Sequence, residues 1–197
     1  YQVLNLVGNK KDANKLKFAV NNDHDKKLWN GSFYVPYRWK NHNKYKEIGE
    51  WFDSLGNILA IVFDLADGAK AKKILDFIEK NKINRPYPVK AIYPPIKKGS
   101  KHWQDYFEDC DAKEPYHYLN AGIWTFIGGF YVLSLIKLRK FDKAEKELKR
   151  TAEANLKGNF PEWIDPITKK SFGKMQAWDA GMYILAYESL RKKRVLI

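Results

Sequence analysis

The sequence predicts an all-α fold, an α/α toroid in which buried inner helices alternate with outer helices that face solvent. Segments that are apolar on nearly every face alternate with amphipathic segments. Each apolar segment follows a long loop, and each of the first two is followed by a tight turn. Only residues 33–37 and 89–93 suggest short strands. We expect the 197 residues to form a single domain, about half of a six-pair ring.

The first predicted pair lies in the middle of the chain. Residues 55–66 are apolar on nearly every face, which predicts an inner helix. After only Asp67 and Gly68, residues 69–82 carry apolar side chains at positions i, i+3, i+4 and i+7, with lysines opposite. This spacing predicts an outer helix that packs antiparallel to the first.

The pattern then repeats. Residues 84–115 contain five prolines and therefore cannot form one regular element. An inner helix is predicted over 119–138 and an outer helix over 142–156, where alanines and leucines form one stripe among charges. After a loop over 157–174, residues 175–192 predict a third, mostly apolar helix.

The long loops over 21–54, 83–118 and 157–174 are predicted to share one face, because antiparallel helix pairs place all inner-helix starts at one end. Rigid scaffolds often carry function on such loops. Aromatic rings suit the C–H faces of sugars, and carboxylates and amides suit their hydroxyl groups. No tryptophan falls in the two predicted outer helices; the seven are Trp29, Trp39, Trp51, Trp103, Trp124, Trp163 and Trp178. We therefore expect a carbohydrate cleft on the loop face.

Composition argues against several other classes of protein. The net charge is +13, but the lysines are spaced as solvated helix faces, so we expect neither nucleic acid nor a membrane as partner. The uncharged run 116–136 contains polar residues and fits a buried helix better than a transmembrane span. Cys110 is the only cysteine, which indicates no disulfide framework, no zinc site and no other cofactor. The lone cysteine and the lack of a signal peptide favour a cytoplasmic location, although a start at Tyr1 suggests a piece of a longer protein.

Three segments carry a family resemblance. The stretches FDSLGNILAI (52–61), YHYLNAGIW (116–124) and FPEWID with FGKMQAW (160–165, 172–178) resemble the neutral/alkaline invertase family of glycoside hydrolases. The resemblance extends to its (α/α)6-barrel relatives, namely trehalases, processing α-glucosidases and amylo-α-1,6-glucosidase-like enzymes. It covers about residues 50–190 and implies the C-terminal half of a catalytic barrel.

The resemblance implies a catalytic glutamate. Glu162 matches the carboxylate that activates water as general base in inverting members, with Pro161 fixing the backbone and Trp163 reducing solvation. The residues implied to bind substrate are Asp53, His117, Asn120, Trp124, Trp163, Gln176 and Trp178. Structural alternatives stay open: Glu162 as a loop residue that caps an amide, His117 and Asn120 as a helix-capping pair, and Trp124 as core.

Two departures qualify the resemblance. The general-acid aspartate of these families belongs to the earlier half of the barrel, and nothing in residues 1–50 matches its motif. The acid is then expected outside this chain. The expected protein partner is either a missing N-terminal half of the barrel or a second copy in a homo-oligomer. The loop between Gly173 and Trp178 is shorter than in invertases and lacks an arginine found there. An α-glucoside or α-glucan oligosaccharide is therefore as plausible a substrate as sucrose.

Three other functions remain open from the sequence. A degenerate or carbohydrate-binding domain would keep the aromatic cleft without catalysis. A helical scaffold would use all of its aromatic rings as core. An epimerase on the same barrel would need histidine acid and base groups, for which four scattered histidines make a weak case.

Overall fold

The computed structural model describes residues 1–41 and 45–197, and the side chains outside residues 39–47. Helices dominate this part of the chain, as predicted. The α-helices are α1 (Gln2–Leu6), α2 (Lys10–Asn21), α3 (Ser54–Val62), α4 (Gly68–Lys80), α5 (Thr125–Lys137), α6 (Phe141–Gly158) and α7 (Ala177–Arg191). Short 3-10 helices lie at Asp105–Asp109 and Asp111–Lys113.

The strands are short and form three antiparallel pairs. They are β1 (Arg38–Asn41) with β2 (Tyr45–Ile48), β3 (Phe52–Asp53) with β4 (Ile92–Tyr93), and β5 (Trp163–Ile164) with β6 (Ser171–Phe172). The suggested strand at 89–93 is thus present in part as β4. The suggestion at 33–37 was wrong, because Tyr34 makes only an isolated bridge with Trp29.

Inner and outer helices alternate as predicted. Helix α5 buries ten of its thirteen residues and packs against α3, α6 and α7. Helix α4 buries one stripe, Ala71, Ile74, Leu75 and Ile78, because its remaining positions are largely charged. On α6 the exposed Lys149 pairs with Glu145 one turn away, as expected of a solvated face.

The start of α5 was predicted at residue 119, and this was wrong. Tyr116, Tyr118 and Ala121 have positive φ angles of 74°, 46° and 72°, which an α-helix does not tolerate. The apolar residues that follow are extended, and Trp124 N–H donates to Val89 O at 3.1 Å. His117 and Asn120 therefore lie well before the helix and do not cap it. Among the described residues, no helix is long and apolar enough to cross a bilayer.

A hydrogen-bonded network joins the starts of the inner helices. Strand β3 leads directly into α3 and pairs with β4, and Ala91 N–H donates to Gly122 O at 2.8 Å just before α5. Ile123 and Ile164 exchange both backbone hydrogen bonds, each at 2.9 Å. The loops that precede α3, α5 and α7 therefore meet at one end of the helices, as predicted.

Candidate active site

Glu162 lies at this end, on the segment between α6 and β5, and is half-buried. The Tyr118 hydroxyl donates to Glu162 Oε1 at 3.3 Å. Gly173 backs the side chain: its φ is +67°, and a Cβ added there would stand 2.7 Å from Glu162 Cβ. Glycine alone fits both the backbone conformation and the close approach. The carboxylate is thus held from two sides.

The backbone around Glu162 is fastened to the start of α7. Asn159 ends α6 in the left-handed region, at φ 53°, and Pro161 follows it closely. Met175 N–H donates to Asn159 O at 2.8 Å, and Gln176 N–H donates to Phe160 O at 3.0 Å. A shift of α7 would therefore move the segment that carries Glu162.

Trp163 supports this segment from inside the protein. Its ring stacks on Phe172 at a centroid distance of 4.0 Å and an interplanar angle of 6°. The centroid of the His117 ring lies 5.5 Å from that of Trp163, and the two rings are tilted relative to each other. Trp163 is only 5% exposed. We correct its expected role in substrate binding, because almost none of this residue is exposed for a sugar to stack on.

Asn120 is also structural. Its Nδ2 donates to Ile96 O at 2.8 Å and to Ala112 O at 3.0 Å, and its Oδ1 accepts from Ile96 N–H at 2.7 Å. Both amide donors and the oxygen are used by backbone, and the residue is buried. Asn120 fastens the loop before α5, so its sugar-binding role is not carried forward.

Trp124 acts on the site only through its neighbour. Its Nε1 donates to Tyr118 O at 3.2 Å, and its ring contacts the Tyr118 ring edge-on at 5.0 Å. The residue is buried, so the core alternative holds and its expected sugar contact is corrected. Its effect is to hold Tyr118, which in turn holds Glu162.

The other expected binding residues are placed differently. Asp53 caps α3: its Oδ2 accepts from Gly56 N–H at 2.9 Å, and burial raises the pKa of this carboxyl against the effect of that hydrogen bond. His117 and Gln176 are half-buried, and Trp178 is 48% exposed in the first turn of α7. The side chain of Trp39 lies outside the described residues.

Two residues of this region were given no individual role from the sequence. Tyr118 lies inside YHYLNAGIW, but a tyrosine in an aromatic-rich chain carries no distinctive signal. Partial burial, and then the negative charge of Glu162, raise the pKa of its hydroxyl. Asp179 looks like one more carboxylate on a helix, yet it is 1% exposed and burial raises its pKa to about 6.

A cavity of about 610 Å³ lies elsewhere, between α4 and α6. Its lining includes Tyr131 and Glu147, but not Glu162. Burial raises the pKa of Glu147 to about 6, although Arg85 contacts it at 3.0 Å and Arg150 at 2.9 Å. Charged residues line most of this cavity and none of the residues expected to bind substrate lies in it, so we do not regard it as the carbohydrate cleft.

The family can be decided by comparison with known proteins. The sequence model of the family described as alkaline and neutral invertase matches residues 46–193, well over half of the chain. The chain belongs to the alkaline and neutral invertase family. The resemblance found in the sequence is thereby confirmed.

Plant invertases are among the curated relatives of this family member. Neutral/alkaline invertase 1, mitochondrial, of Oryza sativa subsp. japonica is 28% identical over 139 residues, 68% of this chain and 22% of the relative. Alkaline/neutral invertase E, chloroplastic, of Arabidopsis thaliana is 27% identical over 141 residues, 68% of this chain and 22% of the relative. Cytosolic invertase 1 of Oryza sativa subsp. japonica is 28% identical over 143 residues, with shares of 69% and 25%. The chain spans about a quarter of the length of these relatives.

Solved structures confirm the fold class. A GH63 mannosylglycerate hydrolase from Thermus thermophilus, in complex with Tris and D-glycerate, superposes with a TM-score of 0.57 at 14% identity. The match covers 82% of this invertase-family chain and 35% of that chain. The same enzyme in complex with glucose gives a TM-score of 0.57 and covers 82% and 36%. These are (α/α)6-barrel structures, so the predicted toroid is correct.

Proposed function

We propose that this chain is part of a glycoside hydrolase that cleaves sucrose or another α-glucoside, with Glu162 as general base. One observation carries the proposal: the half-buried Glu162 carboxylate is held by Tyr118 and Gly173 where three inner-helix loops meet. The family membership of residues 46–193 supports it. A surface glutamate would need no such support.

The proposed mechanism is an inverting hydrolysis with two carboxyl groups. Glu162 takes a proton from a water molecule, whose oxygen attacks the anomeric carbon as the glycosidic bond breaks. The leaving oxygen takes a proton from a general acid outside this chain. Because Tyr118 engages Oε1, the other oxygen, Oε2, is the one left to hold the water. In inverting enzymes the two carboxyl groups lie roughly 6.5–9.5 Å apart, which leaves room for that water.

Four residues are proposed to contact the sugar. The exposed indole of Trp178 offers a ring face for stacking, and the half-buried Gln176 and His117 offer hydrogen bonds. Asp53 caps α3 with Oδ2, and we propose that its other oxygen contacts a hydroxyl group. The names of the relatives favour sucrose, whereas the short loop between Gly173 and Trp178 keeps other α-glucosides open.

We propose that further helix pairs complete the barrel beside α7. Helix α7 is apolar on most sides, yet Ile184 is 62% and Tyr187 48% exposed. These pairs would also bring the general acid, either on the same polypeptide or on a second copy. We expect a cytosolic protein, although the relatives include forms named cytosolic, mitochondrial and chloroplastic.

The test is hydrolysis of sucrose and a panel of α-glucosides by the longest natural polypeptide that contains this sequence. We expect Glu162→Gln to lower kcat by about 10²–10⁴-fold, the usual contribution of a general base, with the circular dichroism spectrum unchanged. Glu153→Gln, at an exposed position on α6, is the matched control and should keep full activity.

Two outcomes would overturn the proposal. Hydrolysis that survives Glu162→Gln would remove Glu162 from the chemistry. A parent protein that is inactive on the whole panel, but whose tryptophan fluorescence responds to a sugar, would indicate a carbohydrate-binding domain.

A further inference from the structure

The cavity of about 610 Å³ between α4 and α6 combines a buried polar base with a cationic rim. Its buried lining residues are Asn84, Tyr131 and Glu147, and its exposed cations are Lys82, Arg85, Lys143 and Lys146. Small-molecule sites usually have volumes of roughly 300–1,000 Å³. The space is therefore large enough for a small metabolite and not only for a single ion.

Both carboxylates of the lining are already paired. Glu79 accepts hydrogen bonds from Lys143 Nζ with both of its oxygens, at 2.7 and 2.8 Å. Glu147 Oε1 accepts from Arg85 Nη1 at 3.0 Å, and its Oε2 accepts from Arg150 Nη1 at 2.9 Å. Because each carboxylate has its own cation, the lining presents no uncompensated negative charge that would repel an anion.

Two lysines of the rim are left without a counter-charge. In the part of the chain that the structure describes, the ammonium groups of Lys82 and Lys146 make neither an ion pair nor a hydrogen bond. Among the same residues, Arg85 donates through Nη1 alone, so its Nη2 and Nε remain to donate to a ligand. Cations that surround a concave space suit phosphate, because its oxygens accept several charge-assisted hydrogen bonds at once.

The segment that carries Lys82 and Arg85 is fixed by backbone hydrogen bonds. Lys82 N–H donates to Glu79 O, and Arg85 N–H donates to Lys82 O, each at 3.1 Å. Between them, Ile83 is fully buried, and its N–H donates to Ile78 O at 3.0 Å. A ligand would therefore have to order only side chains here, which lowers the entropic cost of binding.

We propose that this cavity binds a small phosphate-bearing molecule, whose phosphate group contacts Lys82, Arg85 and Lys146. The buried base, which includes the Tyr131 hydroxyl, leaves room for an organic part such as a sugar ring. Free phosphate and a phosphorylated sugar share this chemistry. The site is separate from Glu162, which does not line the cavity, so the proposal does not depend on the proposed hydrolase function.

The test is isothermal titration calorimetry of the longest natural polypeptide that contains this sequence, with inorganic phosphate and glucose-6-phosphate as probes. We expect a Kd of about 1 mM or tighter for at least one of the two. A double variant, Lys82→Gln with Lys146→Gln, should raise this Kd by about tenfold or more, because two charge-assisted contacts are lost. Both positions are exposed, so the fold should be unaffected.

The matched control is a second double variant, Lys72→Gln with Lys157→Gln. It removes the same charge from exposed positions on α4 and α6 that do not line the cavity, so the Kd should stay unchanged. Equal weakening by both double variants would indicate diffuse attraction to a basic protein and would overturn the proposal. Binding that survives Lys82→Gln with Lys146→Gln, or no binding of either probe, would also overturn it.

The two probes distinguish the sources of the phosphate group. Tighter binding of glucose-6-phosphate would support a phosphorylated sugar as the ligand, whereas equal or tighter binding of inorganic phosphate would support free phosphate. A polypeptide that binds a probe in this way but hydrolyses no glycoside would overturn the proposed function and leave the phosphate site in place.

Discussion

At the scale of single residues, the site depends on Gly173, a residue without a side chain. Gly173 combines a positive φ with a contact that leaves no room for a methyl group beside Glu162. Gly99 has a similar φ of +76°, but an added Cβ there would meet nothing within 4 Å. The two glycines therefore allow backbone strain to be separated from displacement of Glu162.

We predict that Gly173→Ala and Gly99→Ala each lose about 1 kcal/mol of unfolding free energy, since alanine is strained at positive φ. Gly173→Ala alone should also lower kcat, by about tenfold or more, because the new methyl group pushes against Glu162. Thermal melts and initial-rate kinetics check both effects. Equal activity of the two variants would show that the position of Glu162 does not depend on Gly173.

Sequence reasoning reached some of these residues and not others. Glu162 is visible because a short segment resembles a family. Asp53 was singled out for substrate binding alone, and its role as the N-cap of α3 comes from the structure. Tyr118 acquires its role from its hydrogen bond to Glu162, which lies 44 positions further along the chain, and no local pattern records such a contact. Asn120, the asparagine of YHYLNAGIW, gave the opposite error. It looked available for a ligand, but its side-chain amide is hydrogen-bonded to backbone groups.

At the scale of elements, α3 and α4 begin with the same device. Asp53 accepts a hydrogen bond from Gly56 N–H at 2.9 Å, and Asp67 accepts one from Lys70 N–H at 2.8 Å. We predict that Asp53→Ala and Asp67→Ala each cost about 1 kcal/mol of stability in urea denaturation. Only Asp53→Ala should also raise KM for the sugar. If KM stays unchanged in both variants, Asp53 is a cap and nothing more.

The start of α5 shows what hydrophobic periodicity cannot resolve. Residues 119–138 are almost continuously apolar, and a buried extended segment has the same composition as a buried helix. What separates them is the bridge from Ile123 to Ile164, a partner 41 positions further along the chain. The boundaries of the outer helices, by contrast, were predicted to within a few residues. Each outer helix has one charged face, so the spacing of its apolar residues shows the helical period clearly.

At the scale of the whole molecule, the exposed apolar residues of α7 are the feature with the broadest consequence. An apolar surface of this kind promotes association with another protein surface. We predict that the 197-residue chain alone self-associates, and that Ile184→Lys reduces this in sedimentation velocity. Leu156→Lys, at a leucine 78% exposed on α6, should have no effect. A chain that stays monomeric at all concentrations would show that α7 needs no cover.

The toroid itself was predictable from the alternation of buried and amphipathic segments, since that alternation reflects how many sides of each helix face water. Which aromatic rings line a cleft was not predictable in this way. Trp163 and Trp178 lie fifteen residues apart in equally aromatic surroundings, yet one is stacked inside the protein and the other is 48% exposed. Composition gives the number of rings, whereas tertiary packing decides which of them remain accessible.

The buried carboxylate on α7 has a consequence for thermal adaptation. A pKa raised from 3.8 to about 6 means that folding is favoured while Asp179 is protonated, and that this contribution is lost as pH rises through about 6. At neutral pH the penalty is about 3 kcal/mol, and a neutral side chain would remove it. Selection for heat resistance would therefore favour a neutral side chain at position 179.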